Sequence, residues 1–208
     1  YQTGLSERDF IGMVDQMVGK LSIFCTSGSG WVIDKLVHVD LKFTEHRPIR
    51  GSSYVPTPSK LFRNRFLLNI QSTMDNLCFL YCLVAVFFRP NDNAFRPNSY
   101  QKHFKKYNFT PDQMPMQVAN IPAFEKANKL TINVFGYDNG IIIPLYITNQ
   151  KSNYPQINLL LLSDKNNFHY CLITHFHKFM RNFSVSTNTR RKGKNIYYCH
   201  RCLHGFSN

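Results

Sequence analysis

The chain has 208 residues, of which 43% are hydrophobic and 14% aromatic, a composition that can bury a core and excludes an intrinsically disordered protein. Its formal net charge of +13 favours anionic partners, either nucleic acid or an acidic protein surface. The longest apolar run, residues 79–88, is too short to cross a bilayer, so no membrane partner is expected. Six cysteines are too sparse for a secreted disulfide framework, which predicts an intracellular protein of the nucleus or cytoplasm.

The first sixty residues predict few regular elements. Residues 7–20 are predicted to form a helix, which a glycine break at Gly28-Ser29-Gly30 follows. Residues 37–43 alternate between apolar and polar side chains, as a half-buried strand does. Residues 47–60 are rich in proline, glycine and serine and predict an irregular, extended segment.

The middle of the chain predicts a helical half. Residues 65–70 are predicted to form a strand that leads into a turn before Cys78. Residues 79–88 are apolar on all sides, which indicates a buried central helix that ends before Arg89-Pro90. Surface helices are predicted over residues 99–107 and 122–129, the second with Pro122 in its first turn.

The last part of the chain predicts a sheet. Residues 130–137 and 141–148 flank Asp138-Asn139-Gly140, and Asn-Gly between apolar runs is a strong hairpin signal. Two more strands are predicted over residues 157–162 and 170–174. The expected fold class is therefore α+β, with the central buried helix packed on an antiparallel sheet.

Cys78 is the candidate nucleophile. A helix N-terminus lowers the pKa of a thiol, and Asp75 and Asn76 are good N-cap residues that would place Cys78 in the first turn. The backbone N–H of Cys78 could stabilise an oxyanion, helped by the side chain of Asn76 or, as an alternative, Gln71. The competing interpretation is that Cys78 is simply a small buried hydrophobic residue.

His169 is the candidate general base, because it opens a strand after a polar turn and could face a cleft. Asn167, two residues earlier, could orient its imidazole, and Asp164 is the alternative. The competing interpretation is a half-buried histidine at a strand end, without a catalytic role.

Two motifs resemble the papain-fold deubiquitinases: Asp75-Asn76-Leu77-Cys78-Phe79 and His169-Tyr170-Cys171-Leu172-Ile173. The ovarian-tumour group has a similar Asp-x-x-Cys box and His-Tyr strand. The herpesviral large-tegument deubiquitinases place an acidic orienting residue two positions before the histidine, where this chain has Asn167. The resemblance implies a papain-like fold and a thiol hydrolase that needs no cofactor for catalysis. Its substrate would be ubiquitin or a ubiquitin-like modifier, cleaved after the C-terminal glycine, with Trp31, Ser53 and Tyr54 as candidate walls of the substrate channel.

A longer series of motifs resembles a protein region found in large eukaryotic DNA transposons and related viral elements, where a Cys-x-x-Cys finger follows. It comprises Gly28-Ser29-Gly30-Trp31, Gly51-Ser52-Ser53-Tyr54-Val55-Pro56, Asp75-Asn76-Leu77-Cys78-Phe79, Asn133-Val134-Phe135-Gly136-Tyr137 and His169-Tyr170.

This second resemblance sets the expected domain organisation. A catalytic domain would cover residues 1–185, with an N-terminal extension to about residue 60. A basic linker and the start of a truncated zinc finger would cover residues 186–208. Cys199 and Cys202 have the spacing of the first two zinc ligands, and the remaining ligands would lie beyond Asn208.

Two other functions fit the same residues. A non-catalytic nucleic-acid-binding module of a mobile element would use the basic surface, the aromatic side chains and the finger. A papain-like protease that processes a viral or transposon polyprotein would differ from the deubiquitinase only in its substrate.

Overall fold

The computed structural model describes residues 7–24, 34–35, 54–149, 153–164, 167–184 and 196–207. The chain divides into two compact units, Tyr1–His46 and Arg47–Asn208. In the first unit, helix α1 spans Glu7–Phe24. The glycine break at residues 28–30 and the strand predicted over residues 37–43 lie outside the described residues. None of the described helices is both long and apolar enough to cross a membrane.

The second unit is built on a five-stranded sheet with the order β1-β5-β4-β2-β3. Its strands are β1 (Leu67–Leu68), β2 (Thr131–Asp138), β3 (Ile141–Ile147), β4 (Gln156–Asp164) and β5 (Asn167–Ile173). Strands β2 and β4 run parallel, whereas the other neighbouring pairs are antiparallel. The class is therefore mixed α+β, and the prediction of an antiparallel sheet was wrong at this one pair. After β3 the chain returns to the other side of β2, and no local turn signal in the sequence reveals that pairing.

The β2–β3 hairpin confirms the prediction from the Asn-Gly pair. Asn139 and Gly140 have φ values of 48° and 86°, the left-handed conformations that a tight hairpin turn of this kind requires. Asp138 and Ile141 are then paired across the turn. One register shift, between Val134 and Phe135, interrupts the ladder.

Three helices accompany the sheet: α2 (Cys78–Phe88), α3 (Ile121–Asn128) and α4 (Phe176–Ser184). Helix α2 is buried from Cys78 to Ala85 and ends at Phe88, before Arg89-Pro90, as predicted. Pro122 lies in the first turn of α3, and Lys129 closes that helix in the left-handed conformation with φ 54°. Residues 97–99 and 101–106 form 3-10 turns rather than the predicted surface α-helix.

Hydrophobic side chains cover both faces of the sheet. On one face, Tyr170 and Leu172 of β5 lie in the cluster that contains α2 and α3. On the other face, Cys171 and Ile173 lie in the cluster that contains Phe176 and its neighbours on α4. The strand thus alternates between two cores, because successive side chains point to opposite faces.

A small hairpin closes the described chain. Strands β6 (Ile196–Tyr198) and β7 (Gly205–Ser207) pair antiparallel. The Tyr198 backbone N–H donates a 3.0 Å hydrogen bond to Nδ1 of His177 on α4. The His200 ring stacks on the Phe176 ring with a centroid distance of 4.1 Å. These contacts attach the hairpin to α4.

Candidate functional site at the N-terminus of α2

Helix α2 begins at Cys78, and Leu77 is its N-cap residue, without a side-chain cap. The expectation that Asp75 or Asn76 would occupy the N-cap position was therefore wrong. Asp75 acts one step earlier, because its Oδ1 accepts a 3.0 Å hydrogen bond from the Leu77 backbone N–H. Its Oδ2 accepts a 2.7 Å hydrogen bond from the Tyr81 hydroxyl. Asp75 thus fixes the turn that delivers Cys78 to the first position of the helix.

The Cys78 thiol is buried, with 3% of the residue exposed. Burial is the largest influence on its pKa, which it raises to about 11. The backbone N–H groups of Tyr170, Phe79 and Cys78 act in the opposite direction, because they stabilise a negative sulfur, and the charge of Asp75 adds to the rise. The helix N-terminus therefore contributes the expected stabilisation, but desolvation outweighs it and the thiol is neutral at pH 7.

The His169 side chain is fully buried. Its ring packs edge-on against Tyr54, with ring centroids 5.5 Å apart. Burial lowers the pKa of His169 to about 4, and the nearby Ile70 carbonyl raises it by a smaller amount. Neither Nδ1 nor Nε2 has a hydrogen-bond partner of normal geometry. The imidazole is therefore neutral at pH 7, and both of its nitrogens lack the bonds that a buried ring normally makes.

Two backbone groups indicate that Cys78 and His169 lie in the same region of the fold. The Tyr170 N–H, the next backbone donor after His169, lowers the pKa of the Cys78 thiol, and the Ile70 carbonyl raises the pKa of His169, so each backbone group lies near the side chain it influences. The connection from Ile70 to Leu77 therefore begins near His169 and ends at Leu77, directly before Cys78.

The reactive groups themselves are not joined. Tyr170 points to the α2 face, whereas His169 shares the strand parity of Cys171 and Ile173, which belong to the opposite cluster. Both ring nitrogens of His169 are unpartnered, so no hydrogen bond joins His169 to Cys78 in the described conformation.

The other predicted site residues are dispersed. Asn167 and Asp164 face each other at the open end of the β4–β5 ladder, and both are exposed. Neither bonds the His169 ring, because both ring nitrogens are unpartnered. Asn76 and Gln71 are exposed on the connection that leads to α2.

Of the three predicted channel residues, only one falls on the described part of the chain. The Tyr54 ring packs edge-on against the His169 ring, and its place in a substrate channel stays a prediction. Trp31 and Ser53 lie outside the described residues.

Unsatisfied polar atoms concentrate around His169. Among the described residues, five buried nitrogen or oxygen atoms lack a hydrogen-bond partner, and four of them are Asn69 Oδ1, Ser72 Oγ and the two ring nitrogens of His169. Asn69 and Ser72 flank Ile70, whose carbonyl touches the His169 ring. Such atoms cost about 1–3 kcal/mol each and call for a reason. Sequence reasoning missed Asn69 and Ser72, although the polar stretch before Cys78 was a signal for the second.

The C-terminal thiols lie on the β6–β7 hairpin. The Cys199 N–H donates to the His204 carbonyl and the Leu203 N–H to the Cys199 carbonyl, each at 2.9 Å. The Cys202 backbone N–H is the main cause of a lowered pKa for the Cys199 thiol. A lowered thiol pKa favours the deprotonated form of cysteine, which is the form that binds zinc. The described residues hold no group of three or more metal-ligating side chains, so Cys199 and Cys202 form at most half a site and zinc binding stays a prediction.

Comparison of the chain with protein-family models, with curated proteins and with solved structures found no match. The mixed α+β architecture and the local geometry around Cys78 and His169 are therefore the basis for a functional assignment.

Proposed function

We propose that this protein is a papain-type cysteine hydrolase that cleaves after the C-terminal glycine of ubiquitin or a ubiquitin-like modifier, with Cys78 as nucleophile and His169 as base. The observation that carries the proposal is the position of Cys78. It is the first residue of a buried helix, and the backbone N–H that follows His169 stabilises a negative charge on its sulfur. The papain-like assignment of the fold belongs to the same proposal, supported by the packing of α2 on β5.

The reaction follows from these groups. His169 takes the Cys78 proton, and the sulfur attacks the glycine carbonyl to form a tetrahedral oxyanion. The Cys78 backbone N–H, with Asn76 as a second donor, stabilises that oxyanion. The C–N bond breaks, His169 gives its proton to the departing lysine amine, and a thioester remains. Water then hydrolyses the thioester to a carboxylate and regenerates the thiol. Asn167, or Asp164 in its place, would orient the imidazole.

The described conformation is a resting one under this proposal. A neutral buried thiol and a neutral buried imidazole on opposite faces of β5 do not react. Catalysis requires His169 to leave its packing against Tyr54 and meet Cys78. An extended glycine tail entering beside Tyr54 would supply the missing partners, since its N–H groups can donate to Asn69 Oδ1 and its carbonyls can accept from Ser72 Oγ. Binding energy from the substrate would then assemble the pair.

The test uses ubiquitin that carries a thiol-reactive electrophile at its C-terminus, with parallel reagents built on other ubiquitin-like modifiers. The wild-type chain and Cys82→Ser should form a covalent adduct that mass spectrometry places on Cys78. Cys82 is a matched control, because it is a buried cysteine on the same helix and serine retains its hydrogen bond to the Tyr170 carbonyl. Cys78→Ala should form none, and His169→Gln should react at least about 100-fold more slowly. An adduct that survives in Cys78→Ala, or a wild-type chain inert to every modifier, rejects the proposal.

A further inference from the structure

A polar cleft lies at the C-terminal end of α2, away from Cys78. It consists of two adjoining cavities that share His175. The first, of about 410 Å³, lies between the end of α2 and the sheet, and its walls include Arg89, Asn91 and Asn158. The second, of about 240 Å³, lies between α4 and β6. The wall residue of α2 nearest to the thiol is Ala85, seven residues after Cys78, so about 10 Å of helix separates this cleft from the thiol.

The charge of the cleft has one sign. Arg89 lines the first cavity, and Lys178 and Arg181 line the second, where His177 adds a further imidazole. All three of the permanent cations are exposed. Among the described residues, no carboxylate lines either cavity. Asp92 follows Asn91 in the chain but is not part of the wall. The cleft therefore attracts an anion along its whole length.

Each cavity also carries one exposed aromatic ring. Phe87 lies in the wall of the first cavity and Tyr197 in the wall of the second, and each is 47% exposed. Neither ring is part of the two hydrophobic clusters that cover the sheet. Half-exposed rings beside cations are the surfaces on which unpaired bases stack.

We propose that this cleft binds single-stranded nucleic acid. The phosphates lie along Lys178, Arg181 and Arg89, and bases stack on Tyr197 and Phe87. The amide of Asn91 and the NH2 group of Asn158 face base edges, since the Asn158 oxygen already accepts from Asn133. An acidic peptide would use the cations alone and would leave both rings without a role, so the rings favour nucleic acid. The cleft shares no residue with the proposed thiol site, and either activity can exist without the other.

Fluorescence anisotropy of a labelled twenty-nucleotide oligo(dT) with the full chain tests the proposal. Lys178→Ala/Arg181→Ala should weaken binding at 0.1 M salt by about tenfold or more. The slope of log K against log salt should become shallower by about 0.7 for each phosphate that is no longer neutralised. Tyr197→Leu should also weaken binding several-fold but leave the salt slope unchanged, because it removes stacking and no charge.

The matched control is Lys60→Ala/Lys126→Ala, which removes the same charge from exposed residues outside both cavities. It should change the affinity less than about twofold. Circular dichroism and thermal melting establish that each variant is folded before its affinity is compared. Equal loss in the two double variants would overturn the proposal. So would loss of binding only when the basic residues of the linker, Arg190, Arg191, Lys192 and Lys194, are replaced by alanine. Displacement of the oligonucleotide by polyglutamate, with no effect of Tyr197→Leu, would assign the cleft to an acidic protein instead.

Discussion

The Tyr81 hydroxyl donates a 2.7 Å hydrogen bond to Asp75, whose other carboxylate oxygen holds the Leu77 N–H at the start of α2. Gln101 donates a further 3.0 Å hydrogen bond to the Tyr81 oxygen from the neighbouring 3-10 turn. Burial and Asp75 together raise the pKa of Tyr81, so the hydroxyl remains a donor at neutral pH. This network, rather than a side-chain N-cap, fixes the position of Cys78.

Tyr81→Phe should therefore lower the free energy of unfolding by about 1.5–3 kcal/mol, because it removes a hydrogen bond to a carboxylate. Tyr107→Phe is the control, since the Tyr107 hydroxyl donates at 3.0 Å to a neutral acceptor on the same helix, the Leu83 carbonyl. That change should cost only about 0.5–1.5 kcal/mol. Urea unfolding curves of the three proteins measure both values. Equal losses would mean that Asp75 has no special part in holding the helix.

Because of His169, the free energy of unfolding should decrease as the pH is lowered from 7 towards 4. Its folded-state pKa is about 4, below the ordinary value of 6.5, so the unfolded chain binds a proton between these values and the folded chain does not. The contribution is complete above pH 6.5 and is lost as the pH falls towards 4. A shift of this size corresponds to roughly 3 kcal/mol.

Urea unfolding at pH 7 and at pH 4.5 measures this loss in the wild type, in His169→Gln and in His204→Gln. His204 is exposed and serves as the control. The difference between the two pH values should shrink by about 2–3 kcal/mol in His169→Gln alone. An unchanged difference would mean that His169 is solvated, contrary to the packing against Tyr54.

Cys78 should be unreactive toward small thiol reagents when no substrate is bound. Its pKa of about 11, against an ordinary 9.0, reduces the thiolate fraction at pH 7 by about 100-fold, and burial restricts access further. Among the cysteines that the structure describes, labelling with a bimane reagent, followed by peptide mass mapping, should modify Cys199 and Cys202 on the C-terminal hairpin before Cys78. The Cys78 rate should still be rising with pH at pH 9. Labelling of Cys78 at the rate of a free thiol at pH 7 would mean that the helix N-terminus prevails over burial.

The sequence correctly predicted those elements that depend only on residues close together in the chain. The apolar run of α2 and the Asn139-Gly140 turn confirm this, since composition on all sides and backbone preference decide them. The parallel pairing of β2 with β4 depends on a crossover with no local signature. Helix α4 was missed, although Phe176, Phe179 and Met180 recur at helical spacing within a short basic segment.

At the candidate site, the sequence predicted which elements carry Cys78 and His169, but not the face of the sheet to which each side chain points. It placed Cys78 near the start of a helix, as found, and His169 at the opening of a strand, whereas His169 is the fully buried third residue of β5. Side-chain direction on β5 depends on the parity of the pairing with β4, which sets Tyr170 toward α2 and His169 away from it. A strand that is buried on both faces carries no polar alternation that could reveal this parity.

Glu125 offers a test of the packing that supports the sheet. It is fully buried near the end of α3. Its Oε1 accepts from the Ile132 N–H on β2, and its Oε2 accepts from the Tyr146 hydroxyl on β3 at 2.6 Å. The carboxylate therefore joins one helix to two strands. Glu125→Ala should lower the free energy of unfolding by at least about 3 kcal/mol, because it leaves the buried Ile132 N–H and the half-buried Tyr146 hydroxyl without their acceptor.

A double-mutant cycle with Glu125→Gln and Tyr146→Phe separates the Glu125–Tyr146 bond from the rest of the packing. Each single change should cost about 1–3 kcal/mol in urea unfolding, since glutamine keeps one acceptor for Ile132 and phenylalanine keeps the ring in place. The double variant should lose about 1–2 kcal/mol less than the sum, because both changes break the same hydrogen bond. Strict additivity would mean that the two side chains do not bond, and Glu125 would then hold α3 to the sheet through the Ile132 N–H and the longer 3.4 Å bond from the Thr148 hydroxyl.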